Sequence, residues 1–267
     1  MKERLDSLLV KRGICETRSR AKALILAGKV LINDRVMDKA GTLVEEDALI
    51  RLKEELPYVS RGGLKLARAI KEFTLDLQGK TVLDIGASTG GFTDCALQHG
   101  AEKVYALDVG YGQLAWKLRN DPRVINMERV NIRNLKEGEL EETPDLATVD
   151  VAFISLGYVF PVLGRLNIKE VIALIKPQFE AGREEVGKRG VIKDPRVHGE
   201  VMKKVAEGAL KEGYILKNLT YSPVKGPQGN IEYLGYFGKE DKPLNELEKP
   251  GVEGLVNSVV SKAHEIL

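Results

Sequence analysis

The chain has 267 residues, 43% hydrophobic and 30% charged, with 41 Lys and Arg against 39 Asp and Glu, enough for one or two domains with substantial cores. No run approaches the roughly 20 apolar residues that cross a bilayer, and the opening MKERLDSLLVKRG carries charges where a secretory leader would be apolar, so a cytoplasmic protein without membrane contact is expected. Cys15 and Cys95, far apart in sequence, and three scattered histidines fit neither a disulfide framework nor a metal site.

The near-neutral net charge of +2 hides an asymmetry: residues 1–39 hold ten Lys and Arg against five Asp and Glu. Phosphates neutralised by such a segment release condensed counterions, which marks a candidate nucleic-acid-binding element. A solvated helix face reads equally well from charge alone. Leu5, Leu8 and Leu9 predict a short amphipathic helix within residues 3–12, and Ala21, Leu24 and Ile25 predict a second over residues 17–27, capped by Thr17 and stopped by Gly28. KVLINDRVM reads as two strands around Asn33-Asp34, and the apolar run Ala48 to Leu52 closes the unit. Arg18, Arg20 and Lys22 place cations at the start of the second helix, and Arg4 adds another in front of it.

KEELPYVS, residues 53–60, reads as a connection, since Pro57 stops a helix. The expected organisation is a module over 1–59, a larger domain over 60–242 and a linker with a final amphipathic helix over 243–267. In the larger part TVLDIG, KVYALDVG, RVINM, ATVDVAFIS (147–155) and VIALIKP alternate with helical stretches, the pattern of a doubly wound, mostly parallel α/β sheet. Such sheets bind ligands beyond the carboxyl ends of their strands. YILKNLTYSPV and IEYLGYFG, joined by KGPQGN, predict an antiparallel pair at the sheet edge.

The first of these strands runs into Asp84-Ile85-Gly86-Ala87-Ser88-Thr89-Gly90-Gly91-Phe92. Small residues there let backbone approach a ligand, and amides opening the next helix favour electron-rich groups. The spacing departs from the Gly-x-Gly-x-x-Gly dinucleotide fingerprint. Four further charges sit where a polar side chain is costly unless used: Lys65, Asp150, Lys176 and Glu232. Taken singly, each is more often a solvated cap; their occurrence as a set of four raises the odds that they serve the ligand cleft. The basic, Gly-bearing segment after Lys176, with Lys188 and Arg189, reads either as an RNA-closing loop or as an ordinary exposed one.

Four resemblances rest on these residues. RLDSLLVKRG with SRAKALILAGKVLINDR resembles the small RNA-binding S-four domain, with Asp34-Arg35 where that family usually has Asn-Gly or Asp-Gly. The glycine loop resembles motif I of S-adenosylmethionine-dependent methyltransferases. Lys65, Asp150, Lys176 and Glu232 resemble the catalytic tetrad of FtsJ-like ribose 2′-O-methyltransferases. SRGGLKL, DIGASTGGFTD, DVAFISL, IKPQFEAGREEVGKRGVIKDP and GPQGNIEYL are similar to the TlyA, or hemolysin A-like, rRNA methyltransferases over about residues 3–240. The resemblance implies a Rossmann-like methyltransferase sheet with a small N-terminal α+β RNA-binding domain. It further implies S-adenosyl-L-methionine as cofactor, ribosomal RNA or ribosomal subunits as partner, and methylation of a ribose 2′-hydroxyl, at cytidine. On this view Lys176 is the base, assisted by Lys65, Asp150 and Glu232. Asp84, Gly86, Ala87, Ser88, Thr89, Gly90, Gly91, Phe92 and Asp108, with Asn131 and Phe153, hold the cofactor; Arg4, Arg18, Arg20, Lys22, Arg61, Lys188 and Arg189 meet RNA. Three other readings compete: a non-catalytic RNA-binding or assembly factor, a cytolysin as the hemolysin label suggests, and a base methyltransferase. The complete tetrad opposes the first, the absence of a spanning segment the second, and Asp150-Val-Ala-Phe153 in place of a base-recognition motif the third.

Overall fold

The structure, a computed structural model, describes residues 2–52, 57–187, 190–226, 228–240 and 251–267. Two units divide the chain, Met1–Leu56 and Pro57–Leu267. In the first, β1 (Lys2–Arg4) leads into α1 (Leu5–Lys11) and α2 (Arg18–Leu26), followed by β2 (Val30–Ile32), β3 (Arg35–Met37), β4 (Leu43–Glu45) and β5 (Ile50–Leu52). Leu5, Leu8 and Leu9 meet Ala21, Ile25, Val30, Ile32 and Val44 in its core. The hydroxyl of Thr17 accepts from the Arg20 amide at 3.2 Å, the helix cap expected from the sequence. Residues 2–4 are a strand rather than the start of a helix, because they pair antiparallel with β4.

The β2–β3 hairpin turns on Asn33 and Asp34, both left-handed at φ 48° and 62°. Two-residue hairpins of this hand favour Asn, Asp and Gly. The turn therefore falls on Asn33-Asp34, between the two strand runs as the sequence suggested, and Arg35 opens β3. Asn33 also accepts the Leu49 amide at 3.2 Å, fastening the turn to the chain entering β5.

The second unit comprises α3 (Gly62–Phe73), β6 (Thr81–Ile85), α4 (Gly91–Gln98), β7 (Lys103–Asp108), α5 (Trp116–Arg119), β8 (Val124–Glu128), β9 (Leu146–Val149), α6 (Phe160–Arg165), β10 (Glu170–Ile175), α7 (Pro177–Glu180), α8 (Pro195–Lys211), β11 (Tyr214–Tyr221), β12 (Tyr233–Lys239) and α9 (Val252–Ile266). The sheet order is β11-β12-β10-β9-β6-β7-β8. Five strands run parallel, and β12 lies antiparallel to both β10 and β11. The period-two alternation of strand side chains sends Val82, Val104, Ala106, Ile172 and Leu174 toward α3, α4 and α5. It sends Leu83, Ile85, Leu107, Val149 and Val171 toward α6, α8 and α9. The mixed α/β architecture is the one expected; β9 however stops at Val149, and only a 3₁₀ turn, Ile132–Asn134, is regular between β8 and β9. The final helix docks Val256, Val260 and Ala263 into the core. Among the described residues no helix is long and apolar enough to cross a membrane.

α9 also sets a half-buried histidine, His264, against the buried His198. His198 is wholly buried, with Nε2 3.1 Å from the Ile192 carbonyl. A carbonyl only accepts, so Nε2 carries the proton and Nδ1 accepts from the Tyr233 hydroxyl at 2.8 Å. His264 Nε2 is 3.1 Å from the same Nδ1. Burial pushes His198 from the ordinary 6.5 to about 4 and lowers His264 as well. Between those values the unfolded chain takes up a proton that folded His198 does not. The associated stability is thus complete above pH 6.5 and lost as pH falls toward 4, about 3 kcal/mol at most. Asp84, raised to about 6, works in the opposite sense over part of that range. Melting of wild type against His198→Gln isolates the histidine: the variant should lose less stability between pH 7 and 4.5, and parallel curves would refute the assignment.

Candidate active site

The glycine loop forms where β6 meets α4. Gly86 is left-handed at φ +85°, and a Cβ there would run into the Asp150 carbonyl oxygen, so no other residue fits without strain. At Gly91 an added Cβ would strike Ser60 Oγ, and at Gly90 the side chain of Leu118. Beneath the loop Asp84 is fully buried. It accepts from Thr93 Oγ1 at 2.6 Å and Thr148 Oγ1 at 2.9 Å, while burial pushes its carboxyl up to about 6 against those two bonds. Asp84 and Gly90, both expected as cofactor contacts, are buried here. The first is a brace tying β6 to α4 and β9, and the second is covered by Leu114 and Leu118.

Two hollows flank the loop and share Gly86, Ser88 and Asp150 in their walls. One, of about 500 Å³, adds Asp108, Gln113, Asn131 and Phe153. The other, of about 430 Å³, adds Ala87, Thr89, Gly91, Phe92, Lys65, Arg61 and Lys225. Both volumes suit a small-molecule site. Asp108 accepts the Ser88 amide at 2.8 Å through Oδ2 and the Gly110 amide at 2.6 Å through Oδ1, which leaves each oxygen a free lone pair for a hydroxyl donor. Phe153, at φ +63°, is 90% exposed and packs on Phe179 at 5.1 Å between ring centres. A larger hollow of about 670 Å³ lies among α8, β11 and the start of α9; it gathers mixed surface charges such as Lys203, Glu207 and Lys211 without a converging reactive group.

The four charges converge. Lys65 Nζ is 2.6 Å from Glu232 Oε2 and 4.0 Å from Asp150 Oδ2. Lys176 Nζ is 2.6 Å from Asp150 Oδ1 and donates to the Val151 carbonyl at 2.8 Å. The result is an unbroken row, Glu232, Lys65, Asp150, Lys176, of alternating sign. Topology assembles it: Asp150 follows β9 and Lys176 follows β10, parallel neighbours, while Glu232 precedes antiparallel β12 and so stands at the same sheet edge. Glu232 is 1% and Lys65 9% exposed, so the row is largely withdrawn from water. Buried charges of this kind persist only when paired.

Other positions were not readable in advance. Ser88 Oγ donates to Gln113 Oε1 at 3.2 Å, and Arg61 donates to the Lys225 carbonyl at 3.0 Å beside the smaller hollow. Neither Gln113 nor Lys225 belongs to a motif, so only their tertiary position reveals them. In the N-terminal unit Arg20 and Lys22 are exposed, whereas Arg4 and Arg18 both bind the buried carboxylate of Asp6. Lys188 and Arg189 lie outside the described residues.

The FtsJ-like methyltransferase family matches residues 58–239, and the S4 domain matches residues 3–50. The Bacillus subtilis protein YqxC is 49% identical, over all of this chain and 95% of its own. The 16S/23S rRNA (cytidine-2′-O)-methyltransferase TlyA of Mycobacterium tuberculosis is 40% identical, over 97% of both chains. Hemolysin A of Brachyspira hyodysenteriae is 44% identical, over 88% of this chain and 99% of its own. Among solved structures, a hemolysin-named protein from Streptococcus thermophilus is 43% identical with a TM-score of 0.76, covering 99% of this chain and 96% of that one.

Proposed function

The chain belongs to the FtsJ-like methyltransferase family, and from that premise we propose that it transfers methyl from S-adenosylmethionine to a ribose 2′-hydroxyl of ribosomal RNA, at cytidine. The observation that carries the reading is the row of alternating charges beside the glycine loop. The substrate follows the named activity of the Mycobacterium tuberculosis relative and the N-terminal RNA-binding family match. We take the tetrad, the cofactor contacts and the two-domain division with a C-terminal helix as part of the same proposal.

When bound, S-adenosylmethionine supplies an electrophilic methyl on a sulfonium. Gly86, Ala87, Ser88, Thr89, Gly91 and Phe92 form the wall that would hold its amino-acid end, and Asp108 would accept from its ribose hydroxyls. Asn131 and Phe153 line the same hollow. Lys176, in its neutral form, takes the proton from the attacking 2′-hydroxyl. Asp150 and the Val151 carbonyl fix the direction of its Nζ, and Glu232 holds Lys65 beside Asp150. Alignment of hydroxyl with methyl supplies several kcal/mol of the barrier reduction. The nucleotide leaves its stack to reach the cleft, while Arg4, Arg18, Arg20, Lys22, Arg61, Lys188 and Arg189 engage phosphates, making binding bipartite and salt-sensitive.

The test is incubation with methyl-tritiated S-adenosylmethionine and ribosomal subunits or RNA from cells lacking the enzyme. Label recovered as 2′-O-methylcytidine is the expected result. Label on a base would refute the chemistry. Cofactor binding without label on any ribosomal substrate would favour a non-catalytic RNA-binding factor.

A further inference from the structure

Asp6 stands where charge counting says it should not. It follows Leu5 at the start of α1, its side chain is wholly buried, and it lies in the basic segment read above as the RNA-binding unit. Its Oδ1 accepts from Arg4 Nε at 3.1 Å, and its Oδ2 accepts from Arg4 Nη2 at 3.1 Å and Arg18 Nη2 at 2.9 Å. Two guanidiniums from different elements thus share one oxygen. The hydrogen bonds from Arg4, with Arg18 adding to them, overcome burial and hold the Asp6 carboxyl down at about 2, so it is ionised under any assay condition. Arg4 ends β1, anchored opposite Leu43, and Arg18 opens α2 behind the Thr17 cap.

Each guanidinium offers five donors; Arg4 directs two at Asp6 and Arg18 one, and the side chains remain 49% and 55% exposed. Arg4 also lies over Gly41, where an added Cβ would come within 3.1 Å of Nη1. A free arginine loses much rotamer freedom when it grips a phosphate. Here the ordering is already present in the unbound unit.

We infer that Asp6 is a positioning residue, which pre-arranges Arg4 and Arg18 as a paired phosphate grip for RNA. The inference rests on the proposed role of the N-terminal unit in binding RNA. It has an unusual sign: removing a negative charge from an RNA-binding face should tighten binding if charge alone matters, and should weaken it if geometry matters.

The full chain and ribosomal RNA from cells lacking the enzyme serve for the test, with affinity measured over 50 to 200 mM salt, roughly the range in which phosphate contacts dominate. Asp6→Asn is expected to weaken binding about tenfold despite its added net positive charge, raising KM for RNA while kcat holds. Gly41→Ala changes no charge, lies at an exposed position without positive φ, and displaces only the Arg4 guanidinium. It should weaken binding about threefold, which keeps the test decisive if Asp6→Asn fails to fold. Tighter or unchanged binding in the folded variants overturns the inference, as does a loss confined to Asp6→Asn with lowered melting temperature while Gly41→Ala binds normally. If Arg20→Ala with Lys22→Ala also binds as wild type does, the RNA-binding reading of the unit itself has failed.

Discussion

Lys176→Ala is expected to lower the methyl-transfer rate by about 10³-fold, within the range general-base removal produces. The side chain sits at the carboxyl end of β10 with Nζ held by Asp150 Oδ1 at 2.6 Å and the Val151 carbonyl at 2.8 Å. Two of its polar directions are thereby taken and the third is free for the substrate hydroxyl. Lys176→Arg should be no better than alanine, since a guanidinium does not give up its proton at neutral pH. Cofactor affinity should change little in either variant, because the glycine loop and Asp108 are untouched. Single-turnover rates with saturating RNA measure the effect directly. Wild-type turnover in Lys176→Ala would remove the base from this residue.

The second large effect belongs to the backbone. Gly86→Ala should abolish measurable cofactor binding, a loss of at least about 100-fold, because the residue combines a left-handed conformation costing about 1 to 3 kcal/mol for alanine with a Cβ that meets the Asp150 carbonyl. Relief of that clash must move either the loop or the residue that holds Lys176. Both changes damage the cleft, so turnover should fall with binding. Calorimetric titration of S-adenosylmethionine and thermal melting together check it: an alanine variant that folds and binds normally would show that the loop is not the cofactor cradle.

The legible parts of the sequence were those carried by local pattern. Apolar runs at βα spacing declared the sheet, and Thr17 and Gly28 bounded α2. Lys176 could be placed at a strand end because it closes the apolar run VIALIKP, whereas Asp150 lay inside the predicted run 147–155 and stands at its strand end because β9 stops at Val149. What stayed hidden depended on contacts distant in sequence. Asp84 looked like part of the ligand loop because it adjoins the glycines, yet the strand alternation turns its carboxylate inward to Thr93 and Thr148. β1 and β4 are three residues each, too short for a periodicity, and exist through pairing with one another. The sharing of Asp6 by Arg4 and Arg18, and the meeting of His198 with His264 across α8 and α9, follow from tertiary packing that no spacing rule encodes.

The placement of β12 between β10 and β11 has a consequence for how the enzyme comes into being. β11 precedes β12 in the chain yet lies outside it, so the hydrogen-bonding edge of β10 must await a strand synthesised later. Glu232 arrives with that strand. A nascent chain growing from its N-terminus can therefore expose a finished glycine loop, Lys65, Asp150 and Lys176 long before it holds a complete tetrad. On the proposed mechanism, in which Glu232 holds Lys65 beside Asp150, methyl transfer begins only when that strand slots into the sheet, and activity then reports that the domain has closed.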